Sequence, residues 1–433
     1  MYTTSLWIRS SFVFACLLAL TVAGCSGENG GADADGEGDE IELRLVTTRP
    51  TAPKVWDAAI KAFEAEHPHI SVTLETTPNN SSELHALLTQ RLANEDPSVD
   101  VFMMDVVWPS EFALAGYAQP LTESFNFATR DEFFASGIEA YTVEGEIYAV
   151  PFFLDAGLLY YREDLLEAHG FSPPRTWDRL VEQAETILTA SDNDALRGYV
   201  GQFKRYEGLV CNMLELVESA GGDVSDPMNP QTLVALEFVA ENLAPLMPDG
   251  VFTYEEQHAY DAFRSGNAVF MRNWPYAYAA NVEEGSPVKG KVGMAPLPRH
   301  GGGDSVATLG GWGFAVSAFS RHPEEAWKLV EHMSSGETQR SLAVATGKVP
   351  AHRLSFEHTE VQAAQPHFSQ LQSVIERARP RPKTPLYGPI SDILQRFYTD
   401  ALREFEDPHT LVEQAQRAAQ RIRDANRRAG LTE

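Results

Sequence analysis

Residues 41–77 read IELRLVTTRPTAPKVWDAAIKAFEAEHPHISVTLETT, and the period of the apolar residues changes twice within them. Ile41, Leu43 and Leu45 alternate with Glu42 and Arg44, which predicts a strand with one face buried. Trp56, Ile60 and Phe63 then recur at helical spacing behind Pro53, a residue suited to a first helical turn, and Pro68 ends that run. Ile70, Val72 and Leu74 return to the strand period. Leu84, Leu87, Leu88 and Leu92 extend the alternation with a second helix, and Val101 to Met104 with a short, fully apolar strand. Helices between short apolar strands imply a parallel sheet covered on both faces.

The same grammar restarts at Ala149-Val150-Pro151. Leu154 to Tyr161 reads as a strand, and helices follow at about 162–169, 177–189 and 233–243. Lys291 to Ala295 and Gly313 to Ser317 are strand-like and are separated by His300-Gly301-Gly302-Gly303-Asp304, a loop by composition. Pro323 opens another helix. From about Ala351 the chain is mostly helical, closing on a long amphipathic run from Asp407-Pro408 to Gly430. No repeat of 20 to 50 residues is present. The pattern is that of two α/β bodies with late helical additions.

The chain has 433 residues, 43% of them hydrophobic and 22% charged, which is globular composition. Sixty-one acidic against 34 basic residues give a net charge of −27. A nucleic-acid partner is therefore excluded as an expectation, since phosphate backbones are met by basic surfaces. Direct docking to an anionic membrane face is disfavoured for the same reason.

Residues 1–24 read as an export signal: Arg9, then the apolar run Phe12 to Leu20, then small residues. Val22-Ala23-Gly24-Cys25 resembles the lipobox of bacterial lipoproteins, in which cleavage before the cysteine leaves its sulfur lipidated. An ordinary signal peptide and a short membrane anchor are the competing readings, although the run is shorter than the 18 or so residues of a span. Residues 25–40 would then be a lipidated Cys25 and a flexible acidic tether, because SGENGGADADGEGDE holds no large apolar residue to offset its ordering entropy. Cys16 leaves with the signal, so Cys211 stands alone and reads as a buried small hydrophobe.

Enzyme motifs are missing: no G-x-S-x-G, no G-x-x-x-x-G-K-[ST], no H-E-x-x-H and no C-x-x-C occurs. His67 and His69 bracket Pro68 and read as surface residues. Tryptophan placement is more informative. Trp56, Trp177 and Trp327 fall on helical patterns, where core packing is the default. Trp108, Trp274 and Trp312 sit beside short apolar strands, where ligands of open α/β sheets bind. An indole there can stack on the C–H face of a sugar ring, with carboxylates and an arginine serving its hydroxyls.

Several blocks carry a resemblance: 100–108 (DVFMMDVVW), 147–151 (IYAVP), 155–162 (DAGLLYYR), 206–211 (YEGLVC), 272–276 (RNWPY), 286–293 (SPVKGKVG), 308–312 (TLGGW) and 380–382 (PRP). In this order they resemble the trehalose/maltose-binding lipoproteins of ABC importers, within the extracellular solute-binding family of sugar receptors. The resemblance implies an α/β, two-lobed periplasmic-binding-protein-like fold with hinge crossings between the lobes and a mostly helical C-terminal region. Placed on this chain, crossings near Pro151, the 301–304 loop and Val349 give an N-lobe of 41–150 plus 305–348 and a C-lobe of 151–304 plus 349–433. It further implies that Asp105 and Asp155 accept from glucosyl hydroxyls, that Trp274 stacks with help from Tyr276, and that Gly311 and Trp312 offer a backbone group and a second aromatic wall. Arg381 would donate to hydroxyls and balance the two carboxylates. The implied protein is a monomer with no catalytic residue, cofactor or metal. It would bind a neutral oligosaccharide, a disaccharide foremost, and pass it to the transmembrane subunits of an ABC permease. The lipid would hold it at the outer face of the cytoplasmic membrane.

Two departures stand out. The loop after the first strand, Thr47 to Ala52, offers Arg49 where such relatives hold a sugar-reading carboxylate, and Phe153 stands where they carry a tyrosine. Two rival readings remain at this stage: a surface glycoside hydrolase with Asp105 and Asp155 as acid and base, and a receptor of the same fold for a non-sugar solute.

Overall fold

A computed structural model describes residues 40–431 apart from Asn79 and residues 279–283. The signal segment, the Cys25 lipidation site and the tether to Asp39 lie outside the described residues.

The strands are β1 (Ile41–Thr48), β2 (Ile70–Thr77), β3 (Val101–Asp105), β4 (Thr142–Val143), β5 (Glu146–Ile147), β6 (Val150–Ala156), β7 (Leu158–Arg162), β8 (Arg197–Val200), β9 (Ala268–Asn273), β10 (Val292–Pro296), β11 (Leu309–Val316) and β12 (Val349–Pro350). They form a six-stranded sheet in the order β12-β6-β11-β3-β1-β2, a four-stranded sheet in the order β10-β7-β9-β8, and a β4-β5 hairpin. The opening stretch folds as its periods dictate. Helix Pro53–Glu66 buries Trp56, Ile60 and Phe63, and β1 pairs in parallel with both β2 and β3. The sheet as a whole is mixed rather than parallel, because β11 returns antiparallel to both β3 and β6.

That return positions the site. With β11 antiparallel to each, β3 and β6 run in the same direction, so Asp105 and Asp155 stand at the carboxyl ends of strands pointing the same way. The register sets Trp312 opposite both Asp105 and Phe153, and Gly310 opposite Asp155.

The apolar run 154–161, read as one strand, is two strands in different sheets, broken at Gly157. A Cβ at Gly157 would overlap the Glu215 carboxylate and stand 2.7 Å from Arg272 Nη2, so the break depends on the absence of a side chain. Pro151, where a crossing was expected, lies inside β6 opposite Gly313. Val349 likewise stays with the large sheet, paired to Leu154. Beyond it Phe356, Val361, Phe368 and Ile375 join the core that covers this sheet. Helix Tyr387–Arg403 instead sends Ile390, Leu394, Phe397 and Tyr398 into the core on the far face of the small sheet. Alternate residues of β7 divide between these cores, Leu158 and Tyr160 facing one, Leu159 and Tyr161 the other. The long C-terminal run is helix Pro408–Arg428, with Asp407 capping it by accepting from Thr410 N–H.

Candidate functional site

A cavity of about 690 Å³, its open mouth included, is lined by residues of β3, β6 and β11 from the large sheet, by Trp274 and Tyr276 just beyond β9 of the small sheet, and by helix residues such as Glu207 and Glu256. Asp105, Asp155, Trp274, Tyr276, Gly311, Trp312 and Arg381 all line it, so seven of the nine sequence-derived candidates converge there.

Asp105 and Arg381 form a buried frame. Asp105 accepts from Ser81 Oγ at 2.8 Å, from its neighbour Val107 N–H at 3.3 Å and from Arg381 Nη2 at 3.2 Å. The other arm of Arg381 donates to Glu207 Oε1 at 2.7 Å. Glu207 opens helix Glu207–Ser219 and also accepts from Tyr387 Oη and from Ser391 Oγ. Arg381 therefore balances Asp105 and Glu207, not Asp105 and Asp155 as expected. Burial alone would lower its pKa, and the surrounding anionic groups more than reverse this. Its Nε is buried without a partner among the described residues.

Among the described residues, Asp155 has no cation in direct contact. It is 7% exposed, and its Oδ1 has no hydrogen-bond partner among the described residues. Burial pushes its pKa up to about 6 against the pull of Lys348 and Arg272, with Asp105 and Glu256 adding to the rise. A buried polar oxygen without a partner is uncommon, and a ligand hydroxyl would satisfy it.

Trp274 follows β9 directly and is fixed from several sides. Its Nε1 donates to Glu256 Oε1 at 3.3 Å, and its backbone carbonyl accepts from Tyr160 Oη at 2.8 Å. The Arg272 guanidinium lies 3.8 Å from the indole centroid. That guanidinium is itself held by Glu215, at 2.8 and 2.5 Å, in an ion pair 1–2% exposed. On β11, a Cβ at Gly310 would approach the Trp274 ring to 3.2 Å. Gly311 has φ +142°, and a Cβ there would stand 2.6 Å from the Phe153 carbonyl oxygen. The glycine pair thus lets the indole and the neighbouring strand close on each other. Burial also raises the Tyr276 phenol well above its ordinary range, so it is a neutral O–H donor.

Two candidates lie elsewhere. Trp108 is 4% exposed and stands edge-on behind Trp312, centroids 5.4 Å apart, so it buttresses the wall without lining the cavity. Arg49 is exposed beyond β1, where its N–H donates to the Thr77 carbonyl. Sequence reasoning missed Asn80, Ser81, Tyr206, Glu207, Gly208, Glu256 and Lys348 as lining residues. For Glu207 a signal existed: an acid opening the strongly apolar run 209–217 needs buried partners. Cys211 also reaches the cavity, but burial pushes its thiol up to about 12, so it is inert there.

Fold and cleft together define a two-lobed solute receptor. The chain belongs to the bacterial extracellular solute-binding protein family, whose model matches residues 48–340. Proteins of this family bind their solutes without transforming them, so the chain is no enzyme. A "Probable ABC transporter-binding protein" of Deinococcus radiodurans is 39% identical over 335 residues, 74% of this chain and 79% of that protein. The solved structure of maltose-bound T. maritima MalE3 superposes with a TM-score of 0.81 at 36% identity, covering 88% of this chain and 99% of the other. A maltotriose-binding protein of Pyrococcus abyssi is 22% identical over 368 residues, 82% of this chain and 76% of that one.

Proposed function

We propose that this chain is the receptor of a carbohydrate ABC importer, which holds a glucosyl disaccharide of the maltose or trehalose type in the cleft and presents it to a permease. One observation carries the reading: the buried Asp155 carboxylate keeps an unpartnered oxygen on a wall shared with Trp274, Tyr276 and Trp312. Indole faces suit the C–H face of a pyranose, a free carboxylate oxygen suits its hydroxyls, and Arg381 Nε is a further donor. The maltose held by the T. maritima relative supports the same ligand class.

The lobes in this reading meet at Gly157 and at the 380–386 segment, later along the chain than the crossings expected near Pro151 and Val349, and at the loop before β11, which holds the crossing expected at 301–304. Ligand contacts drawn from both lobes would favour closure, because an open cleft cannot make them together. Lipidation of Cys25 and the tether through Glu40 would keep the receptor beside its permease after loss of residues 1–24.

The test is calorimetric titration of the mature chain with maltose, trehalose and other disaccharides. The reading expects one site for an α-glucoside, with the sugar recovered intact after prolonged incubation. Absence of binding to any α-glucoside would overturn it.

A further inference from the structure

Lys348 lines the same cavity and carries no sequence-derived role. It follows Gly347, the left-handed cap (φ 71°) of helix Gly336–Thr346, and precedes β12. In the β12–β6 ladder Val349 pairs with Leu154 and Pro350 with Phe153, so the next step of that antiparallel register sets Lys348 opposite Asp155. The ammonium rests 3.7 Å from the Phe153 ring centroid and 5.6 Å from that of Tyr276. Among the described residues it closes no ion pair, with Asp155 or with any other acid. Two opposite charges thus share one wall of the cleft, each short of a direct partner. Phe153 lacks the hydroxyl a tyrosine would offer here, and its ring face carries a cation instead.

Resting on the sugar reading above, we propose that Lys348 is a specificity-determining donor of this site. Its ammonium donates to one hydroxyl oxygen of the bound sugar while Asp155 accepts from the adjacent hydroxyl, so the pair reads a vicinal diol. An ammonium has only donors and an ionised carboxylate only acceptors, whereas neighbouring sugar hydroxyls supply both roles. An anionic ligand fits less well, because Asp105, Asp155, Glu207 and Glu256 line the cavity against Lys348 and Arg381.

The experiment measures, by calorimetry, the α-glucoside that binds the wild type together with its monodeoxy analogues. Lys348→Met should weaken the parent sugar about 10- to 100-fold, the scale of a hydrogen bond to a charged group. It should also erase the wild type's discrimination against one monodeoxy analogue. Lys348→Met with Phe153→Tyr should recover part of the loss by restoring an O–H donor. If the Met variant proves unstable, Lys348→Arg, which keeps the charge but displaces the donor, serves the same comparison. Wild-type affinity with an unchanged monodeoxy pattern would overturn the assignment while leaving the sugar reading intact. A wild type that bound no sugar would overturn both.

Discussion

Replacing Asp155 by asparagine should make the protein more stable at neutral pH while weakening its hold on ligand. The carboxyl is buried, its Oδ1 lacks a partner among the described residues, and burial moves its pKa from 3.8 to about 6. A rise of about 2 units corresponds to roughly 3 kcal/mol set against the charged form. The native state holds this proton more tightly than the unfolded chain. The associated stability is therefore fully present below about pH 4 and is lost as the pH rises through about 6. An amide carries no charge, but its own unpartnered polar atoms cost about 1–2 kcal/mol when buried. The net effect expected is therefore a gain of about 1–2 kcal/mol at pH 7 and a loss of about 1–2 kcal/mol at pH 4, where the charge penalty is absent. Urea unfolding of wild type and Asp155→Asn at both pH values measures it directly. A variant less stable than wild type at pH 7, or a difference that does not change with pH, would refute the reasoning.

Ligand affinity should fall on acidification, because protonation of Asp155 at about pH 6 removes an acceptor. Calorimetry should find binding about tenfold weaker at pH 5 than at pH 7 in wild type and little pH dependence in Asp155→Asn, and a flat wild-type profile would place the ligand away from this carboxylate. Arg272→Met should destabilise by about 3–5 kcal/mol in urea unfolding, since it strands the buried Glu215 charge, and adding Glu215→Met should restore most of that loss. A single-variant cost below about 1 kcal/mol would contradict this. Gly157→Ala should cost about 1–3 kcal/mol through collision with the same pair, and an unchanged unfolding midpoint would show that the break between β6 and β7 tolerates a side chain.

The part of the fold that sequence periodicity reveals is the part built from local amphipathic elements. The change from period two to helical spacing and back over residues 41–77 reports β1, helix Pro53–Glu66 and β2, because each hides one face. The run 154–161 carries no such report. β6 and β7 are both buried on both faces, so the pattern does not change at the break; Asp155 just before it is itself buried, and Gly157 is explained by Glu215, far along the chain. The return of β11 between β3 and β6 was equally hidden, since register and direction are tertiary facts.

At the site, residues with distinctive chemistry in or beside short apolar strands were legible. Trp274 and Trp312 stand out in any reading, and the block resemblance added Asp105, Asp155 and Arg381. Trp108 reads like Trp312 in the sequence, but it falls past β3 at the start of helix Pro109–Leu114 while Trp312 lies within β11, a difference that only the fold decides. Lys348 left no trace, because its role comes from a two-residue strand pairing with β6 nearly 200 positions earlier. The Glu215–Arg272 pair was likewise invisible: the acid and its partner each lie among buried apolar neighbours, on a helix and a strand that only the tertiary fold brings together.

The most direct test of the central claim is a crystal structure of the mature chain grown with maltose or trehalose. The account predicts a sugar ring against Trp274 and Trp312, with a hydroxyl about 2.5–3 Å from Asp155 Oδ1 and the chain closed around it. A disaccharide bound outside this cavity, or bound within it with Asp155 still unpartnered, would contradict the account.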